Sequence, residues 1–569
     1  NLSLMVASSA VVLAGIGLSS LFRIMSLSGG GKTVAESVGA VAVPTDTRDP
    51  RLRQLRNVIE EVAIAAGVPV PDIYLMAEEP GINAFAAGYS ASDAAVCVTR
   101  GCLDNRSRDE LQGVIAHEFS HVLNGDMRLN IRLMGLLFGI LVLAIVGRKV
   151  IWYGGGRSSR RDGGGGQVWM IGLALIVVGY IGYFFARLIQ AAVARSRESL
   201  ADASAVQFTR QTDGIAGALK KIAVLSEGSQ LQVANKQEVA HMLFGEAGKF
   251  SALFATHPPL LQRIRALEPG FRDEELARLA VSMQQVAEAR SAGVAGKSTE
   301  PVRVPAPGMP PLPGVVAGAA LAQGAGGVAD STRFQRAAAV RQAMPAALTV
   351  AVQQSESALT VMLALAMSAA QVELHVAQRR IVANAFGDDE LQAVQAIAAE
   401  VEALPPIARL PLAALALPAL KQLSEGRQQT LLDALDALVR VDGKVVLNEY
   451  CLVRLVRMQL QEARQPRRAP IDGLKKLPAC RDSVILVCAI VAAGGCSDEA
   501  SARRAWLLAM QHAFPGEAIE WSPPPAAWQA PLEHALDDLD GLMPVAKELV
   551  IQSLLGAIRA DGQVSVEEA

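Results

Sequence analysis

Residues 117–126 read HEFSHVLNGD. His117 and His121 stand at i and i+4, so on a helix both imidazoles share one face, one turn apart, within reach of one ion. Glu118 is placed beside them to take a proton from a water that such an ion acidifies to a pKa of about 7. The preceding DELQGVIA, residues 109–116, has the apolar helical spacing the pattern needs. The chain holds only seven histidines in 569 residues, which makes chance placement of the motif rare. The plain alternative is a surface helix with two idle histidines.

Two histidines leave the coordination short of a ligand. The candidates are the remaining histidines and any carboxylate on a helix. RSRESLADASAV, residues 195–206, offers Glu198 with Asp202 four residues on, sharing a face. One could ligate while the other hydrogen-bonds a ligand histidine. A solvated helix face explains the same stretch, and spacing does not choose between the two.

Three apolar runs surround these motifs. Residues 2–22 carry no charge and are long enough to cross roughly 30 Å of hydrocarbon as a helix; a signal peptide is the alternative. Residues 133–147 form a short run that spans only if it extends back to Leu129, with Arg132 reaching toward the interface. Residues 168–186 suffice alone, and Trp152, Tyr153, Trp169, Tyr180 and Tyr183 sit near the run ends as an aromatic belt would. A Gly- and Arg-rich turn joins the last two runs. A buried hairpin in a soluble domain is the other reading. If Glu198 is the third ligand, the chain between 129 and 190 must return to the side it left, which two spans achieve and one does not. Between the runs, residues 51–67 read as a helix, and 72–76 and 94–99 as short strands.

HEFSHVLNGD, then a hydrophobic hairpin, then RSRESLADA resembles the HtpX-like family of integral-membrane zinc metallopeptidases, relatives of the CAAX prenyl proteases. INAFAAG (82–88), VTRGCL (98–103) and THPPLLQRIRAL (256–267) agree with it, so the resemblance covers roughly residues 1–270. It implies one Zn2+ per chain held by His117, His121 and Glu198, with Glu118 as general base and Asp202 orienting a histidine ligand. It also implies an edge strand that pairs with extended polypeptide, for which Asn83, Ala84 and Phe85 are the candidates. His257 and Arg263 become candidates for the oxyanion or the substrate backbone. A structural strand and a helix-packing turn are the alternatives for these two groups.

The fold class expected is α+β, mainly α. A zincin-type metallopeptidase domain (33–128 and 191–270) is interrupted by a transmembrane hairpin (129–190) and preceded by a transmembrane helix (1–28). A linker (271–335) and a helical accessory domain (336–569) follow. In the latter, residues 431–449 and 553–568 each place a Leu/Ala-rich helix before Asp-Gly-x-Val, pairing Asp442 with Glu449 and Asp561 with Glu568. Too few oxygen ligands precede the glycine for an EF-hand, so the glycine reads as a turn between helices. The pattern resembles TerB-like modules, which suggests a protein partner or metal-ion interaction.

Lys plus Arg (53) nearly balances Asp plus Glu (55), a net charge of −2 that leaves no electrostatic footprint for nucleic acid. The six cysteines form no CxxC pair and read as free thiols of a reducing compartment. Arg148, Lys149, Arg157, Arg160 and Arg161 in the hairpin loop are matched by Arg23, Arg128, Arg187, Arg195 and Arg197 on the other side, so the positive-inside rule is a draw. The resemblance and the cysteines favour a bacterial inner-membrane protein with a cytoplasmic protease domain. Misfolded membrane proteins are the expected substrates and the bilayer a partner. The rival readings are a dedicated processing protease of the CAAX type and a silent membrane scaffold. The chain opens on Asn1 and closes inside the second Asp-Gly motif, and is read as trimmed at both ends.

Overall fold

A computed structural model of the chain describes residues 2–154, 165–209, 212–224, 257–291, 339–367, 372–443, 445–465, 473–496, 498–558 and 560. The chain is mostly helical and forms two compact units, Asn1–Ile59 with Pro71–Gly296 and Glu60–Val70 with Lys297–Ala569. In chain order the elements up to the metal-binding motif are α1 (Leu2–Ser26), α2 (Gly31–Ser37), β1 (Val41–Ala42), α3 (Pro50–Ala66), β2 (Asp72–Met76), β3 (Ala84–Ala87), β4 (Ala95–Thr99), α4 (Arg100–Asn105) and α5 (Arg108–Leu123).

The sheet order is β1-β2-β4-β3, with β2 and β4 parallel and the outer strands antiparallel to their neighbours. β3 therefore lies at an edge. All of β3 and β4 is buried, which matches their unbroken apolar composition. Thr99 fixes where β3 begins: its hydroxyl accepts from the Asn83 amide at 2.9 Å and also caps α4 by accepting from Cys102.

Ser107 starts α5 with a capping box, its hydroxyl accepting from the Glu110 amide while the Glu110 carboxylate accepts from the Ser107 amide. Gly113 lets α5 approach its neighbour, because a Cβ there would sit 2.6 Å from the Ile215 nitrogen. α5 ends at Asn124, and Gly125 takes φ 70°, a conformation costly for other residues. The chain turns there and starts α6 (Asp126–Gly154) at once.

α6 runs 29 residues, about 43 Å, so the span is longer than the 133–147 core and includes Arg132, as the extension to Leu129 requires. Its partner α7 (Gly165–Thr209) is one unbroken helix of 45 residues, about 68 Å. Its first half is the apolar return limb, and its second half carries Glu198 and Asp202. No proline interrupts residues 187–209, so the helix has no reason to stop where hydropathy falls. α1 packs along α6, and α6 along α7. The Gly-rich turn expected between the limbs lies outside the described residues. α8 (Thr212–Val224) packs on α5, and α9 (Leu260–Leu267) and α10 (Glu274–Ser291) pack on α8. α10 falls within the stretch expected to be linker from 271: its helical spacing is outweighed in composition by the Pro/Gly/Ala-rich residues that follow it. The rest of that stretch lies outside the described residues.

The second unit contains α11 (Ala346–Ala351), α12 (Ser355–Ala366), α13 (Val372–Phe386), α14 (Asp388–Glu402), α15 (Pro406–Leu420), α16 (Glu425–Val439), α17 (Leu447–Arg464), α18 (Arg481–Gly495), α19 (Glu499–Ala513), α20 (Gln529–Asp540) and α21 (Pro544–Ile558). α12 packs against α14, α15 and α16, while α18 packs against α19, α20 and α21. Between α16 and α17, Gly443 takes φ 74°, and the Glu449 carboxylate accepts from the Val446 amide at 3.3 Å. Asp-Gly here makes a turn, and the glutamate caps the next helix. Asp561 and Glu568 of the second motif lie outside the described residues.

Among the described residues, four helices are long and apolar enough to cross a membrane: Ser9–Ser26, Asp126–Tyr153, Trp169–Val206 and Leu477–Gly495. The sequence reading names three. The fourth overlaps α18, whose Val484, Val487, Cys488 and Ile490 belong to a core built around Trp506.

Candidate metal centre

α5 and α7 pack together and bring His117, His121 and Glu198 to one point, with one ligand atom from each lying within 4.8 Å of the others. His117 Nε2 is 3.5 Å from Glu198 Oε2, and His121 Nε2 is 3.6 Å from Glu198 Oε1. These separations exceed good hydrogen bonds. They approach the ~3.3 Å expected between two ligands of a tetrahedral ion bound at about 2.0–2.1 Å. Two imidazoles and one carboxylate are a donor set suited to a borderline cation such as zinc, and three protein ligands leave a coordination position open. The residues fit a catalytic metal.

The far nitrogen of each imidazole meets a carboxylate. His117 Nδ1 lies 3.0 Å from Asp202 Oδ1, as expected of a residue that orients a histidine. Asp202 is itself gripped by Arg263, through Nε at 2.8 Å and Nη2 at 2.7 Å. His121 Nδ1 lies 2.9 Å from Asp126 Oδ2, and the Asp126 carboxylate meets Arg197. Sequence reading passed over Asp126 although it closes the quoted motif. The signal was Asn124-Gly125, a helix stop that folds the next residue back toward His121. His257 Nδ1 lies 2.8 Å from Glu198 Oε2, and Arg263 Nη2 lies 3.6 Å from the same oxygen. Both oxyanion candidates are thus buried against the ligand carboxylate and its neighbour.

Glu118 is fully buried, and its Oε2 accepts from the Ala86 amide of β3 at 3.0 Å. Burial pushes its carboxyl upward, against the opposing pull of His117 and His121. Burial also lowers the His117 imidazole, but the neighbouring Asp202 and Glu198 carboxylates win and raise it overall. The edge-strand candidates Asn83, Ala84 and Phe85 are all fully buried. The Phe85 ring belongs to the core formed with Leu27, Met76 and Ile131, so only its backbone is left to offer a substrate. The Ala84 amide donates to Asn83 Oδ1 and the Ala86 amide to Glu118. Both amides point away from β4. None of the six cysteines forms a disulfide, and burial pushes the Cys102 thiol up to about 11, which suppresses thiolate chemistry there.

A histidine pair on one helix and a glutamate on another that is continuous with a membrane span, with a second glutamate beside them, define a membrane-embedded metallopeptidase. The model of Peptidase family M48 matches residues 50–269. The chain is 39% identical over 218 residues to a protease HtpX homolog of Ligilactobacillus salivarius, covering 38% of this chain and 72% of that protein. It is 40% identical over 243 residues to one from Caldanaerobacter subterraneus subsp. tengcongensis (42% and 77%) and 41% identical over 225 residues to one from Listeria monocytogenes serotype 4a (38% and 72%). The chain belongs to the M48 family of metallopeptidases and is a membrane protease of the HtpX type. No solved structure is significantly similar to it.

Proposed function

We propose that the protein is a zinc endopeptidase of a bacterial inner membrane that removes misfolded membrane proteins, with one Zn2+ held by His117, His121 and Glu198. The observation that carries this is the convergence of those three ligand atoms within 4.8 Å, with Glu198 on a helix that is itself a membrane limb. Zinc there would act as a Lewis acid, polarising the scissile carbonyl and acidifying water. Glu118 takes the proton from the attacking water and returns it to the leaving amine nitrogen, the role its raised affinity for a proton suits. Asp202, clamped by Arg263, holds the His117 ring. His257, with its imidazole beside the ligand carboxylate, is the candidate for the developing oxyanion, and Arg263 adds positive field at the same place.

Extended substrate pairs with β3, exchanging its own carbonyls for the side chains that now take the Ala84 and Ala86 amides. Such pairing reads backbone rather than side chains, which suits clearance of many unfolded sequences. A zincin-type domain formed by 33–128 and 191–270, split by the hairpin, is the organisation this reading needs. The cytoplasmic orientation rests on the six cysteines, none of which forms a disulfide. The helices from 336 onward would be an accessory domain, TerB-like in its Asp-Gly turns, that engages a protein partner.

Zinc stoichiometry tests the ligand set. The purified full chain in detergent should hold one zinc, and Glu198→Ala and His117→Ala should hold none. Undiminished zinc in both variants would overturn the assignment.

A further inference from the structure

We infer that Asp126 is the positioning residue of His121, and that Arg197 holds Asp126 in place across the foot of the membrane hairpin. Asp126 Oδ2 lies 2.9 Å from His121 Nδ1, and the same carboxylate meets the Arg197 guanidinium. Asp126 is buried, whereas Arg197 is partly exposed. A carboxylate removed from water costs stability unless cationic or donor groups flank it, as the His121 imidazole and the Arg197 guanidinium flank Asp126.

The arrangement repeats the one on the other ligand. Arg263–Asp202–His117 and Arg197–Asp126–His121 are two chains of the same order, guanidinium to carboxylate to imidazole. In each, a carboxylate faces Nδ1 and Nε2 faces the Glu198 oxygens, so a proton held on Nδ1 would leave the Nε2 lone pair for a metal. An imidazole polarised in this way is a better-oriented and more basic ligand. Asp126 differs from Asp202 in its place in the fold. It is the first residue of α6, and Arg197 precedes Glu198 on α7, so the ion pair links the two limbs of the hairpin beside the candidate ligands.

The inference rests on His121 being a metal ligand, and the test separates the two claims. Full-length wild type, Asp126→Asn, Asp126→Ala, Arg197→Gln and His121→Ala are stripped of metal, and Zn2+ affinity is measured by chelator competition. The visible spectrum of bound Co2+ and the apo-protein melting temperature are recorded alongside. Asp126→Asn keeps the shape but weakens the acceptor, and should bind Zn2+ about 10- to 100-fold more weakly with a shifted Co2+ spectrum and an unchanged apo melting temperature. Arg197→Gln should lose less, about 3-fold, because the Asp126–His121 bond survives. Wild-type affinity and spectrum in Asp126→Asn and Asp126→Ala would overturn the inference. So would a fall in affinity matched by a fall in apo stability in Asp126→Asn, which would make Asp126 only a support of the α5–α6 turn. Unchanged Zn2+ binding in His121→Ala would instead overturn the ligand assignment itself.

Discussion

The helices around the metal site and those from 339 onward bury different kinds of side chain. The former take His117, Glu118, Asp126, Glu198, Asp202, His257 and Arg263 out of solvent. Among the described residues from 339 onward, the buried polar side chains are Thr360, Gln378, Gln428, Gln459 and Ser553, and none is charged. The core there is apolar, with Trp506 fully enclosed by α18 and its neighbours. Each buried ion costs several kcal/mol unless a partner offsets it. The first unit meets that cost by joining carboxylates to imidazoles and guanidiniums around one point. A fold carries such a cluster where chemistry needs it, and the helices from 339 onward show what packing looks like without that demand.

If that contrast holds, substitutions in the first cluster should cost metal and activity, and substitutions in the second core should cost stability alone. The largest effect is expected for Glu198→Ala, which should abolish both zinc content and proteolysis, measured by metal analysis and cleavage of an unfolded membrane protein. Trp506→Ala should remove about 3–5 kcal/mol of stability from the second unit in denaturant titration. Its Zn2+ affinity should match wild type, and a large parallel loss of zinc would break the contrast. Asp202→Asn should weaken zinc by about 10- to 100-fold in chelator competition, in step with its place beside His117. Ser107→Ala, which removes the cap of α5, should lower thermal stability by about 1 kcal/mol while leaving zinc bound.

How much of this could be read beforehand depended on distance along the chain. His117, Glu118 and His121 are legible because one helical turn fixes their relation, and the capping pair Ser107 and Glu110 lies nearby. Glu198 is about eighty positions away, so only the family resemblance singled it out from other helical carboxylates. Asp126 escaped because its contact depends on a backbone reversal at Gly125, which helical periodicity does not show. The unbroken course of α7 escaped too, since hydropathy marks where the apolar limb ends and not where the helix does. Leu477–Gly495 shows the limit of hydropathy from the other side: its apolar residues are drawn to Trp506, a partner that composition cannot name. The edge strand was found, but its side chains face a core, and the Ala86 amide that reaches Glu118 was overlooked because backbone donors carry no sequence signal.

The central claim is that Glu118 is the base of a zinc peptidase, and Glu118→Gln tests it most directly. Both proteins are loaded with zinc and compared on an unfolded membrane-protein substrate. Cleavage should fall by about 10²- to 10⁴-fold in the variant while its zinc content stays that of wild type. Equal cleavage by the two, with zinc bound in both, would contradict the account.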